Sequence, residues 1–130
     1  MSYFHTLRKV SQIADKTLEG VLFSAGLTRA QYTTLDALTK LPKPACQFDI
    51  VTLTAIDRST MSDVLRRLEK RGLITRKRRK EDARAIDISL TQAGEDLVSK
   101  AVDLIPQAEA LLSRQVVGID RLGIVQQAAE

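Results

Sequence analysis

Tryptophan is absent from this 130-residue chain, and three Phe and two Tyr are its only aromatics. Leu, Ile, Val and Ala must therefore fill the core. Histidine occurs once, as His5, and cysteine once, as Cys46. A single cysteine forms no internal disulfide, and neither residue has a Cys or His partner at metal-ligand spacing. No Ser-His-Asp set and no phosphate-cradling glycine loop stand out, which argues against an enzyme, a metal and a cofactor. No apolar run approaches the roughly 20 residues of a membrane span. Met1–Thr6 shows neither a basic nor an apolar leader segment. The expectation is a protein of the reducing cytoplasm without a membrane partner.

What the chain does have is positive charge gathered in one place. Its net charge is +4, but from Arg58 to Arg84 eleven Lys or Arg face four acids, a local excess of +7. The remainder carries nine basic and twelve acidic residues. A basic block on an otherwise acidic chain points to a phosphate backbone. Charge alone leaves a merely solvated face open.

Hydrophobic spacing organises the chain as one domain, mainly α with a small β-hairpin. Residues 3–24 read as a helix with Phe4, Leu7, Ala14, Leu18 and Leu22 near helical spacing. Gly26 is its stop, and Thr28 with Gln31 forms a capping box for a second helix, Arg29–Thr39. Pro42 and Pro44 end that segment. Cys46-Gln47-Phe48-Asp49 opens a short third helix. Asp57 caps a fourth, Arg58 to about Arg71, which stops at Gly72. The period then changes to alternation: Leu73-Ile74-Thr75 and Ala85–Leu90 predict two strands joined by a basic hairpin. Thr91 caps a long fifth helix, with a kink expected at Pro106. Gly118 and Gly123 suggest a separate short helix within residues 113–130.

Helices three and four, followed directly by a hairpin, make a winged helix-turn-helix, in which the second helix of the pair enters the major groove. Met61, Val64, Leu65 and Leu68 form the core stripe of the fourth helix. Its other side carries Ser59, Ser62, Asp63, Arg66, Arg67 and Lys70, with Arg58, Ser59 and Thr60 in a first turn whose free amides attract phosphate. Hydroxyls permit close approach to DNA, and arginine can bond guanine through two donors. Gln47, at the start of the third helix, joins the candidate double-stranded DNA contacts. Arg76, Lys77, Arg78 and Arg79 are the expected phosphate-facing charge of the wing. An ordinary solvent-side helix face remains the alternative for these residues.

Five motifs follow one another in order: Gly26-Leu27-Thr28-x-x-Gln31-Tyr32, Ile56-Asp57-Arg58-Ser59-Thr60-Met61-Ser62, Leu68-Glu69-Lys70-Arg71-Gly72-Leu73-Ile74-x-Arg76, Asp82-x-Arg84-Ala85 and Leu90-Thr91-x-x-Gly94. From about residue 26 to 94 the chain resembles the MarR family of bacterial regulators. The resemblance implies a homodimeric repressor on a palindromic operator, with a DNA lobe over 28–91 and dimerisation helices over 1–25 and 92–130. It also implies that Arg84 enters the minor groove, oriented by Asp82, and that a small aromatic or phenolic effector, or oxidation of a cysteine, releases the DNA. Asp63 departs from the pattern, since many members carry a basic or neutral residue there. It can accept from cytosine N4 or pair with Arg66 or Arg67 on the same helix surface, and pairing is favoured.

A thiol at a helix N-terminus can become reactive, but Asp49 opposes that, so Cys46 reads as a structural small residue. Phe4, His5, Arg8, Phe23 and Tyr32 are the candidate effector-lining residues between the first two helices and the fifth, with ordinary core or dimer contact as the other reading. Two rival functions stand beside the regulator: an architectural protein that binds any duplex, and a winged-helix module that binds only protein.

Overall fold

A computed structural model of the chain describes residues 2–82 and 84–121. Helix α1 spans Tyr3–Phe23, capped by Ser2, whose hydroxyl accepts from the His5 amide (3.2 Å). It ends where Gly26 adopts φ +73°, which lets the Leu27 amide donate back to the Leu22 carbonyl (3.1 Å). Helix α2 (Arg29–Lys40) starts with the predicted capping box. The Gln31 amide donates to Thr28 Oγ1 (3.1 Å), and the Thr28 amide donates to Gln31 Oε1 (3.2 Å). Helix α3 (Gln47–Thr54) is capped from within, because Asp49 Oδ2 accepts the Cys46 amide (2.9 Å). Its last turn passes through Ala55 in the left-handed region (φ 59°).

Asp57 starts α4 (Arg58–Lys70) by accepting the Thr60 amide (2.9 Å) and hydroxyl (2.6 Å). Gly72, at φ +74°, closes it. The predicted stripe of Met61, Val64, Leu65 and Leu68 is buried throughout and forms the centre of the core with Leu22, Leu35, Ile50 and Ile74. Burying side chains of this size is worth about 1.5–3 kcal/mol each, and it fixes which side of α4 is left for solvent.

Strands β1 (Ile74–Arg78) and β2 (Ile86–Leu90) pair antiparallel, with Ile74 opposite Leu90 and Arg78 opposite Ile86. The expected strand Leu73–Thr75 is therefore too short. Pairing with β2 carries the backbone extended through Arg76, Lys77 and Arg78, so these three lie on a strand and not in the turn. Ala45 adds a bridge: its carbonyl accepts the Ile88 amide (2.8 Å), tying the start of α3 to the wing.

Helix α5 (Gln92–Arg121) packs along α1 and against α2. It runs through Pro106 as one helix. The separate helix expected within 113–130 is corrected: residues 113–121 continue α5 past Gly118, and 122–130 lie outside the described residues. A glycine in a helix that already has thirty residues costs only about 1 kcal/mol, which continuing hydrogen bonds outweigh. Among the described residues, no helix is long and apolar enough to cross a membrane.

The start of α5 is locked to the end of α4. Thr91 Oγ1 donates to the Gly72 carbonyl (2.6 Å), the Thr91 amide donates to the Leu73 carbonyl (3.1 Å), and Thr91 Oγ1 accepts the Gly94 amide (3.1 Å). Gly94 is buried against Leu73 and Leu90, so the backbone of α5 touches the root of the wing directly.

Candidate nucleic-acid interface

The core stripe of α4 leaves Arg58, Ser59, Thr60, Ser62, Arg66, Arg67 and Lys70 exposed on its solvent side. The residues of the wing approach the first turn of this helix. A cleft of about 480 Å³ between α3 and the hairpin is lined by Arg58, Arg76, Arg79 and Arg84 above Phe48 and Ile86. Arg58, at the start of α4, thus meets the wing arginines Arg76, Arg79 and Arg84 on one surface.

Within that surface the hydroxyls and amides are already organised. Gln47 Nε2 donates to Ser62 Oγ (2.8 Å) and to the Arg58 carbonyl (3.3 Å), while Ser62 Oγ donates to the same carbonyl (3.0 Å). The Thr60 hydroxyl is given to Asp57, so Ser59 is left as the more available hydroxyl of the first turn. The two bonds from Thr60, hydroxyl first and amide second, hold the Asp57 carboxyl below the usual carboxylate range.

Asp63 is paired as expected, but to both neighbours at once. Arg66 Nη2 contacts Oδ1, and Arg67 Nε reaches Oδ2 at 3.1 Å. The hydrogen bond from Arg66, followed by the charge of Arg67, holds the Asp63 carboxyl low.

The wing differs from a row of free cations. Arg76 Nη2 bridges to Glu69 Oε1 (2.9 Å), fastening β1 to the last turn of α4 and lowering the Glu69 carboxyl through that bond. Arg79 gives both Nε (3.1 Å) and Nη2 (2.7 Å) to Asp87 Oδ1, and the pairing raises its own guanidinium further. Arg76 and Arg79, expected as phosphate-facing charges, are each ion-paired within this surface. Lys77 is exposed on the strand and Arg78 is exposed beside it. Asp82 Oδ1 accepts the Arg84 amide (3.0 Å) and lies 3.7 Å from Arg84 Nε, while the Arg84 side chain is 96% exposed.

Glu69, Asp87 and Arg71 were missed from sequence. Arg71 Nη1 donates to Gln31 Oε1 (3.1 Å), linking the end of α4 to the cap of α2. The signal for Asp87 was present, since an alternating run pairing with Thr75–Arg78 brings an acid to the basic strand. Glu69 offered no such signal, because its partner is seven residues on, across a turn.

The expected effector residues do not converge. Phe4 (84%) and Phe23 (82%) are among the most exposed apolar side chains, His5 and Arg8 are exposed, and none of the four lines a described cavity. Tyr32 is half-buried against the core, where burial and then the Asp36 carboxylate raise its phenol. Helix α1 buries Thr6, Val21 and Leu22 and leaves Phe4 and Phe23 exposed. Cys46 Sγ donates to Asp49 Oδ2 (3.3 Å), within the cap of α3.

Fold and site together define a winged helix-turn-helix protein with a basic, internally ion-paired surface. The MarR family model matches residues 25–85. The organic hydroperoxide resistance transcriptional regulator of Bacillus subtilis is 50% identical over 60 residues, covering 46% of this chain and 40% of that protein. The structure of the transcriptional repressor CouR bound to a 23-mer DNA duplex superposes with a TM-score of 0.77 at 26% identity, covering 95% and 87% of the two chains. BpsR of Bordetella bronchiseptica, whose DNA binding is regulated by 6-hydroxynicotinic acid, gives 0.75 at 26% identity, covering 94% and 91%. Similarity to the MarR family thus extends over residues 25–85, just under half of the chain. It spans 40% to 60% of the length of the curated relatives it matches.

Proposed function

We propose that the chain is a sequence-specific DNA-binding transcriptional regulator, acting as a homodimeric repressor on a palindromic operator. One observation carries this reading: Arg58, in the first turn of α4, and the outward Arg84, beside Asp82, line the same arginine-rimmed cleft. Helix α4 then reads base edges in the major groove, and Arg84 enters the adjacent minor groove. In this division of labour residues 28–91 form the DNA lobe, and residues 1–25 and 92–130 assemble the dimer. Exposed Tyr3, Phe4, Leu7 and Phe23 on α1, with Val102 and Val117 on α5, supply apolar surface for that assembly. Its place is the cytoplasm, with the DNA.

Release follows from a small aromatic acid. The cleft between α3 and the wing offers cations over Phe48 and Ile86, which suits an aryl carboxylate, and an occupant there competes with DNA for Arg58 and Arg84.

The test is selection of bound duplexes from a random pool, followed by competition against random DNA at physiological salt. A regulator retains a large specificity ratio, whereas an architectural protein does not. Arg84→Ala is expected to weaken operator binding by roughly 1–3 kcal/mol, the scale of a lost base contact, with dimerisation unchanged in sedimentation. Operator binding at full strength by that variant removes the wing arginine from the interface. A protein without salt-sensitive affinity for any duplex is instead the protein-binding module.

A further inference from the structure

The reading face of α4 carries its own anion. The two oxygens of Asp63 are taken by different arginines: Arg66 holds Oδ1 through Nη2, and Arg67 holds Oδ2 through Nε at 3.1 Å. The arginine side chains stay 69% and 66% exposed, and the carboxylate is 43% exposed. The clasp therefore sits at the surface, where DNA would meet it, and no buried role in packing accounts for it.

We propose that Asp63 is a specificity-determining residue, which positions Arg66 and Arg67 for base edges while withholding their charge from arbitrary phosphates. The inference rests on the DNA-reading function proposed above.

The chemistry of the guanidinium separates the two kinds of contact. Arginine has five N–H donors in a planar fork. Arg67 spends Nε on Asp63, which leaves the pair of terminal nitrogens for the two acceptors of a guanine edge. Reading a base is thus compatible with the clasp and gains from its rigidity. Neutralising a phosphate is not: the arginine already has a counterion, and the carboxylate repels the phosphate that approaches. Non-specific affinity comes from phosphate neutralisation and counterion release, so it is the component that Asp63 suppresses.

Asp63→Asn keeps the shape and removes the anion. Binding of this variant and of the wild type is measured against the selected operator and a random duplex over a range of salt. Asp63→Asn is expected to bind random duplex about fivefold more tightly, as the freed arginines no longer exchange partners. Its plot of log K against log salt should steepen by roughly one, as for one more neutralised phosphate. Operator affinity should change less, so the specificity ratio falls. Asp63→Glu, which restores the charge, is expected to recover the wild-type slope, a readout that a purely structural role would not move. Arg67→Ala should weaken operator binding and reduce the effect of the further change Asp63→Asn, which then frees Arg66 alone.

Equal slopes and equal random-duplex affinity for Asp63→Asn and wild type overturn the proposal. So does a selective loss of operator binding with random binding unchanged, which makes Asp63 a direct acceptor from a base. Wild-type protein that binds no duplex overturns the DNA-reading function itself, an outcome visible before any variant is made. Matched melting curves for wild type and Asp63→Asn exclude unfolding as the cause of any difference.

Discussion

Gly94→Ala adds one methyl group at the joint between the long helix and the wing. A Cβ built there overlaps the Leu73 carbonyl oxygen outright, and it lies 3.1 Å from the Leu73 carbonyl carbon and 3.2 Å from Leu90 Cδ2. The first obstacle is backbone, so no rotamer change relieves it, and α5 must move away from the root of β1. Overpacking of this kind costs about 1–3 kcal/mol. The movement also stretches the bonds from Thr91 to the Gly72 and Leu73 carbonyls, each worth about 0.5–1.5 kcal/mol. Alanine returns up to about 1 kcal/mol of helix propensity. The expected balance is a loss of about 3 kcal/mol, near the upper end of single-residue effects. Urea unfolding, followed by circular dichroism at a fixed protein concentration, measures it. Gly20→Ala is the control, because nothing lies within 4 Å of a Cβ placed there in α1. It should be neutral or stabilising by up to about 1 kcal/mol. If Gly94→Ala unfolds at the same urea concentration as Gly20→Ala, the close approach of α5 to the wing is refuted.

Leu65→Ala, at a fully buried position in the centre of the core, should cost about 2–5 kcal/mol by urea unfolding. Thr28→Ala removes one side of the α2 capping box and should cost about 1 kcal/mol, with Thr28→Ser close to wild type. Acid should weaken the cap of α4. The Asp57 carboxyl is held low in the fold, so its contribution is fully present above the ordinary aspartate pKa and is lost as pH falls through the lower folded value. Asp57→Asn keeps an acceptor without the titration, so its stability should depend less on pH over that acid range.

Local chemistry made most helix boundaries legible. Thr28 with Gln31, Asp57, Gly26 and Gly72 each satisfy orphan backbone groups within three or four residues, and all four act where the sequence placed them. The same holds for Met61, Val64, Leu65 and Leu68, whose spacing alone selects the inward side of α4. What was not legible depends on distant partners. The extension of β1 through Arg78 comes from its register with β2, and the continuation of α5 past Gly118 prevails over the local preference of one glycine. The exposure of Phe4 and Phe23 was not legible either, because aromatic type does not say which way a side chain on α1 will face.

The candidate site divides along the same line, and the division bears on how its charge should be understood. Residue type marks a cation, but only the fold shows whether an acid has already met it. Arg66, Arg67, Arg76, Arg79 and Arg84 each lie within 4.0 Å of a carboxylate. Arg58, Lys70 and Lys77 have no such partner among the described residues. Counterion release on binding DNA counts phosphates neutralised by charge that was not already neutralised internally. The salt dependence of this protein should therefore be shallower than eleven basic residues between Arg58 and Arg84 would suggest. Affinity lost in that way falls on every duplex alike, whereas paired and oriented arginines still favour the one sequence whose edges they match. Under the function proposed above, acids set among the arginines give up indiscriminate attraction and keep discrimination, which suits recognition of one site among a large excess of competing sites.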